Sequence, residues 1–124
     1  METLKGSCHC GAVEFEVRSE SGLKGLKRCD CSLCTRKGAI MATALLADLT
    51  VTRGGDKLSL YQWNTHVARH YFCSICGIYT HHRRRKSPDA YGYNVGCIEG
   101  LDIASLGEIP MTDGIGMSIQ SDHE

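Results

Sequence analysis

The chain has 124 residues, 14 of them basic and 14 acidic, and therefore no net charge at neutral pH. Such a balance supplies no long-range field toward nucleic acid or a membrane surface, and the length suits one domain with a modest core. No apolar run approaches the ~18 residues that span a bilayer; the longest, residues 39–47, includes Thr43 and ends at Asp48. Residues 1–11 contain one lysine and no apolar core of a secretory leader, so the thiols are expected to meet a reducing, cytoplasmic environment.

The first landmark is the pair Cys8 and Cys10, flanked by Gly6 and Gly11. On a regular strand a C-x-C pair sends its sulfurs to opposite faces, and the glycines supply the bend that would bring them together. In residues 12–18, Val13, Phe15 and Val17 alternate with Glu14, Glu16 and Arg18, the period of a half-buried strand. Residues 21–27 read as a turn and strand entry. The cluster Cys29-x-Cys31-x-x-Cys34 follows, and then a short buried strand over residues 39–46, where periodicity alone also permits a helix. Gly54 and Gly55 separate residues 49–52 from the alternating run 58–63, which predicts a hairpin.

Residues 66–72 predict a strand entering Cys73-x-x-Cys76, and residues 78–82 a strand leaving it. A turn at Ser87, Pro88 and Asp89 leads into another alternating strand over residues 91–97. Asp102 is placed to cap one short helix through Ile103, Ala104 and Leu106 before Gly107. The chain thus divides into a domain over residues 1–110 and a polar tail over residues 111–124. The expected fold class is mainly β, one domain, with at most one short helix.

Two or three thiols within six residues wrap one ion more readily than they pair with each other, so the cysteines point first to zinc. An oxidised, cross-linked scaffold is the competing reading. Cys29, Cys31 and Cys34 are close enough to share one ion, which leaves Cys8, Cys10, Cys73 and Cys76 as a four-thiolate set drawn from two distant segments. Three protein ligands describe a catalytic zinc and four a structural one. Cys97 is a possible fourth ligand of the second site, and a ribbon of Cys31, Cys34, Cys73 and Cys76 is a rival partition. The echo of Cys31-Ser32-Leu33-Cys34 in Cys73-Ser74-Ile75-Cys76 suggests paired zinc knuckles.

Four motifs in this order, GSCHCGAVEFEV (Gly6 to Val17), CDCSLCTRKGA (Cys29 to Ala39), FCSICG (Phe72 to Gly77) and NVGCIEG (Asn94 to Gly100), resemble the glutathione-dependent formaldehyde-activating enzyme family, which includes a centromere protein V branch. The resemblance implies a zinc-binding β-tent fold related to zinc ribbons. It also implies a structural zinc on Cys8, Cys10, Cys73 and Cys76 and a second, catalytic zinc on Cys29, Cys31 and Cys34. The implied activity is that of a carbon–sulfur lyase forming S-hydroxymethylglutathione from glutathione and formaldehyde. Asp30 stands where relatives often carry histidine.

A zinc bound by three thiolates suits capture of a small thiol as thiolate beside an aldehyde carbonyl. Arg28, Arg36 and Lys37 flank the cluster and are candidates to offset its negative charge. His66 and His70 share one face of their strand, His9 sits between two ligand cysteines, and Tyr61 and Trp63 read as core and cover. The basic run from His81 to Lys86 supports an alternative, a non-catalytic zinc-stabilised module binding protein or nucleic acid, although nil net charge weighs against nucleic acid. Expected partners are therefore a small thiol such as glutathione and a small aldehyde, with no membrane association.

Overall fold

The alternation of Phe15 and Val17 does build a strand, and that strand is the middle of a sheet. The computed structural model describes residues 2–29, 31–62, 68–84 and 89–112. In chain order these form β1 (Glu2–Ser7), β2 (Glu14–Ser19), β3 (Arg28–Cys29), α1 (Ser32–Lys37), β4 (Met41–Leu45), β5 (Leu49–Arg53), β6 (Leu58–Tyr61), β7 (Arg69–Cys73), β8 (Tyr79–Arg83), β9 (Ala90–Asn94) and β10 (Met111–Thr112). One antiparallel sheet has the order β1-β2-β5 and the other β4-β9-β8-β7-β6, while β3 and β10 pair in parallel. The architecture is mainly β with one short helix, the class expected. Among the described residues no helix is long and apolar enough to cross a membrane.

Phe15 ties the two sheets together. Its ring lies edge-on to Tyr93 of the larger sheet at 6.3 Å and 6.2 Å from His81, within a core that includes Val17, Ala42, Leu49, Tyr93, Val95 and Ile98. The strand opposite must yield to that ring: Gly6 pairs with Phe15, and a Cβ on Gly6 would overlap it. β1 itself was not expected, because residues 2–7 offer one central apolar side chain, Leu4, and gain their conformation from pairing with β2.

The hairpin predicted around Gly54 and Gly55 does not form. β5 pairs with β2, and β6 pairs with β7 in the other sheet. Gly54 has φ 75 and packs its Cα against Ala12 so closely that no Cβ fits, after which a 3-10 turn over Gly55–Lys57 carries the chain across. The turn signal was real; the identity of the strand partners lay with burial on Phe15 and Val17.

The one α-helix among the described residues also lies elsewhere than expected. It begins at Cys31, whose sulfur accepts from the Cys34 N–H at 3.3 Å, and stops at Gly38 with φ 64. After Asp102, whose carboxylate accepts from the Ala104 N–H at 3.0 Å, the chain makes only a 3-10 turn over Ile103–Leu106. The strand predicted to Cys97 ends at Asn94, and Asn94 caps a 3-10 turn over Val95–Cys97. Met111 and Thr112, grouped with the tail by composition, pair with Arg28 and Cys29. Residues 113–124, together with the predicted positions Asp30, Trp63, His66, Arg85, Lys86, Ser87 and Pro88, lie outside the described residues.

His70, His81 and His82 are all buried, at 3%, 3% and 2% exposure. The strand face that carries His70 is therefore turned inward, and the first two residues of the basic run, His81 and His82, are inside the fold. Centrally placed β8 is covered on both faces. His81 stacks on Tyr71 at 4.8 Å and meets Tyr91 edge-on, whereas His82 stacks on His70 at 5.1 Å and lies over Gly92. Burial pulls the His81 imidazole down to about 4 and His82 well below its ordinary value. Both stay neutral in the fold and gain a proton on unfolding below the ordinary histidine value, so their effect on stability is complete above pH ~6.5 and turns unfavourable as pH falls toward 4. Wild type is expected to lose about 2 kcal/mol through His81 alone between pH ~6.5 and ~5. A His81→Phe variant, compared by urea unfolding at both pH values, should show a correspondingly smaller loss.

Candidate metal centres

Cys8 directly follows β1 and Cys73 ends β7, so each sheet delivers one cysteine at a strand end and a second in the turn beyond. The sulfurs of Cys8, Cys10, Cys73 and Cys76 lie within 4.8 Å of one another. Cys10 is 3.7 Å from both Cys8 and Cys73. Four thiolates around a tetrahedral zinc with Zn–S ~2.3 Å have edges of ~3.8 Å, so this donor set fits that ion.

The two turns are alike. The Cys8 N–H donates to Val13 O and the Cys73 N–H to Ile78 O, both at 3.0 Å, and Gly11 and Gly77 take φ 80 and 79. Backbone amides point at the sulfurs: Val13 N–H to Cys8 Sγ at 3.3 Å, and Ile75 and Cys76 N–H to Cys73 Sγ at 3.4 and 3.5 Å. The Cys76 amide holds the Cys73 thiol low, and the Cys10 amide brings Cys76 down to about 6. Thiolate is the form that ligates. The knuckle partner of Cys73–Cys76 is thus the Cys8–Gly11 turn. Its sequence echo, Cys31-Ser32-Leu33-Cys34, is instead the start of α1.

Cys29, Cys31 and Cys34 form the second group, likewise within 4.8 Å and all buried. Cys29 ends β3, Cys31 caps α1, and Cys34 lies on its first turn. Hydrogen bonds from the Cys29 and Cys34 thiols pull Cys31 down to about 3, while hydrogen bonds to Cys29 and Cys31 push Cys34 far up. Three buried thiols this close together are a set that a divalent cation would ionise together, so the residues fit such an ion.

Cys97 belongs to neither group. It is buried, its thiol donates to Tyr79 O at 3.6 Å, and burial pushes it up to about 12. The ribbon pairing of Cys31 and Cys34 with Cys73 and Cys76 is not what the fold brings together. No disulfide links any of the eight cysteines.

Around the triad, Met41 and Tyr79 pack directly on the cysteines, with Leu33 and Ala39 behind. A cavity of about 170 Å³ opens on Cys29 and Cys34, bounded also by Arg28, Thr35 and Met111. Of the flanking cations, Arg36 turns back to Ser32 O at 2.9 Å, and Arg28 Nη1 donates to Gly38 O at 3.3 Å. Lys37 Nζ sits 3.7 Å above the Tyr79 ring and 3.3 Å from His70 Nδ1, and the Tyr79 hydroxyl is 2.6 Å from His82 Nδ1. This polar layer under the triad was missed in the sequence, where Tyr79 reads as an ordinary strand residue. His9 is exposed, and Tyr61 is 47% exposed on the edge strand rather than buried as core.

The model of the family described as glutathione-dependent formaldehyde-activating enzyme matches residues 3–108. A curated Halomonas elongata protein that carries the family's name is 41% identical over 81 residues, which cover 59% of this chain and 51% of that protein. The chain thus spans about half the length of this curated relative. A crystal structure of a Rhodobacter sphaeroides protein is 56% identical, covers 87% of this chain and 99% of its own, and superposes with a TM-score of 0.83.

Because one cysteine group holds the two sheets and the other lies within a single segment, stripping metal is expected to act unequally. Titration of chelator-treated protein with cobalt(II) should yield thiolate charge-transfer absorption, and Cys76→Ser should lower the melting temperature far more than Cys34→Ser. Equal losses would contradict the geometric division.

Proposed function

Because the chain belongs to the glutathione-dependent formaldehyde-activating enzyme family, we propose that it binds two zinc ions per chain and adds a small thiol such as glutathione to formaldehyde or a related aldehyde. In this reading Cys8, Cys10, Cys73 and Cys76 hold a structural zinc, and Cys29, Cys31 and Cys34 hold the ion at the reaction site. The class is a carbon–sulfur lyase of the S-(hydroxymethyl)glutathione synthase kind. One observation carries the proposal: three buried sulfurs converge without a fourth cysteine, and Cys29 and Cys34 line a cavity.

Zinc on three thiolates supplies one thing here, stabilisation of an incoming sulfhydryl in its deprotonated form at neutral pH, where a free thiol of pKa ~8.5 is mostly protonated. The protein's own residues do the rest. Cys29, Cys31 and Cys34 would hold that ion, and Met41 and Tyr79 pack against the three cysteines and keep them in place. The cavity of about 170 Å³ has room for a one-carbon aldehyde and the sulfur end of the thiol, so its walls set the approach of the two reacting atoms. One sulfur–carbon bond forms, and the carbonyl oxygen takes the proton given up by the thiol. The addition needs no redox partner.

The binding-module reading loses part of its footing, since His81 and His82 of the basic run are inside the sheet and unable to meet a phosphate.

Incubation of zinc-loaded protein with glutathione and formaldehyde, followed by exchange NMR, should show hydroxymethyl adduct forming faster than in buffer. Cys34→Ala is expected to drop from about two bound zinc ions to about one, to keep its fold, and to return the rate to the buffer value. A wild-type rate equal to buffer would overturn the enzyme assignment for this substrate pair, and global unfolding of Cys34→Ala would make the triad structural.

A further inference from the structure

Helix α1 has a second flank. Cys34 and Thr35 face the cavity beside the triad, whereas Leu33 and Lys37, four positions apart and so on one side of the helix, line a separate cleft of about 280 Å³. The other walls of this cleft include Tyr61 of β6, His70 and Phe72 of β7 and Tyr79 of β8, and no cysteine is among its described lining residues. We propose that the cleft is a second ligand site, independent of the thiol chemistry, and that it takes a small planar aromatic acid, with the ring among the aromatic side chains and the carboxylate on Lys37.

The chemistry of the walls sets the ligand class. Tyr61 and His70 stand opposite each other in the β6–β7 pair, and Phe72 lies two residues further along the same strand, so the sheet offers several rings on one face. Rings gain from a further ring set offset or edge-on, an interaction that a flexible alkyl chain does not reproduce. Charge narrows the class. Lys37 supplies a permanent positive charge, and no described lining residue carries a carboxylate to oppose it. In a chain with equal numbers of acids and bases, that is a local preference for an anion. The ammonium is already located by the Tyr79 ring at 3.7 Å and His70 Nδ1 at 3.3 Å, which lowers the ordering cost of receiving a carboxylate.

Size and exposure favour a small occupant. A volume of about 280 Å³ lies just below the ~300–1,000 Å³ of pockets for drug-sized ligands, which suits a molecule of one or two rings. Tyr61 is 47% exposed at the cleft, an uncovered aromatic surface of the kind that a bound ring would shield. A second copy of the chain pairing with β6 would shield it too. That strand has only four residues, a short edge against the ~800 Å² that each partner contributes to a stable interface. A ligand held between α1 and the sheet needs no such edge.

The test uses 2-naphthoate, titrated into zinc-loaded protein and followed by amide NMR. Saturable binding is expected, with the largest shifts at Leu33, Lys37, Tyr61 and Phe72. Neutral 2-naphthalenemethanol and non-aromatic cyclohexanecarboxylate each lack one half of the recognition and should bind about tenfold more weakly. Lys37→Met is expected to abolish the preference for the acid over the alcohol, and Tyr61→Ser, a change at an exposed edge position, to weaken both ring compounds. The site is overturned by no saturable binding of naphthoate, by shifts centred on Thr35, Gly38 and Met111 around the triad's cavity, by equal affinity for acid and alcohol in wild type, or by unchanged naphthoate affinity in Tyr61→Ser. A dimer of the free protein that Tyr61→Ser dissociates would assign the cleft to a second copy and overturn it as well. Naphthoate bound as expected, in a protein that accelerates no thiol addition, would uphold the cleft and sink only the catalytic reading.

Discussion

Four sulfurs from two sheets meet at one point, and most of the molecule's geometry follows from that meeting. Cys10 and Cys73 are 63 residues apart in sequence and 3.7 Å apart in space. Each strand that delivers them is already fixed by pairing, β1 on β2 and β7 between β6 and β8. Without a cation, four thiols at that spacing would compete for protons in a partly buried place; with one, they become ligands, and binding energy turns into folding energy. Phe15 works on the same joint from inside, since its ring over Gly6 sets how closely the smaller sheet lies on Tyr93.

The second cysteine group is of another kind. Its members span six positions on one segment, and α1 exists to present them: the Cys31 sulfur is at once a cap for the helix and a member of the triad. Such a local group lies on one segment, apart from the four-cysteine joint between the sheets. Packing continues beneath it. Tyr79 touches the triad, meets His82 through its hydroxyl and Lys37 through its ring, and so links the cysteines to the buried histidines of β7 and β8.

Those histidines show how sequence reading misjudges a central strand. His81 and His82 lead a run of cations, and composition places such a run in solvent. The strand they occupy has a neighbour on each side and cover on each face, so both are stripped of water and kept neutral. Gly92 allows it, because only a residue without a Cβ leaves room for the His82 ring. A similar blindness applies to Gly54: a turn was legible, but which sheet each flanking strand joins was not.

What the sequence determined by itself was local: alternation at Val13, Phe15 and Val17, the bend at Gly11, the turn at Gly54, the cap at Asp102, and the clustering of cysteines into sets small enough to share an ion. The four motifs around them extended that reading to a family, and the fold class with it. Tertiary structure decided everything that depends on which distant surfaces meet. It separated Cys97 from the triad by seating its thiol on Tyr79 O, paired the Cys73 turn with the Cys8 turn rather than with its look-alike at Cys31, and laid Lys37 and Tyr61 along one cleft. The reason is physical: spacing along a chain limits only what a few bonds can reach, while partner choice across sheets is set by burial of side chains on opposite faces, and that sum is taken over the whole fold.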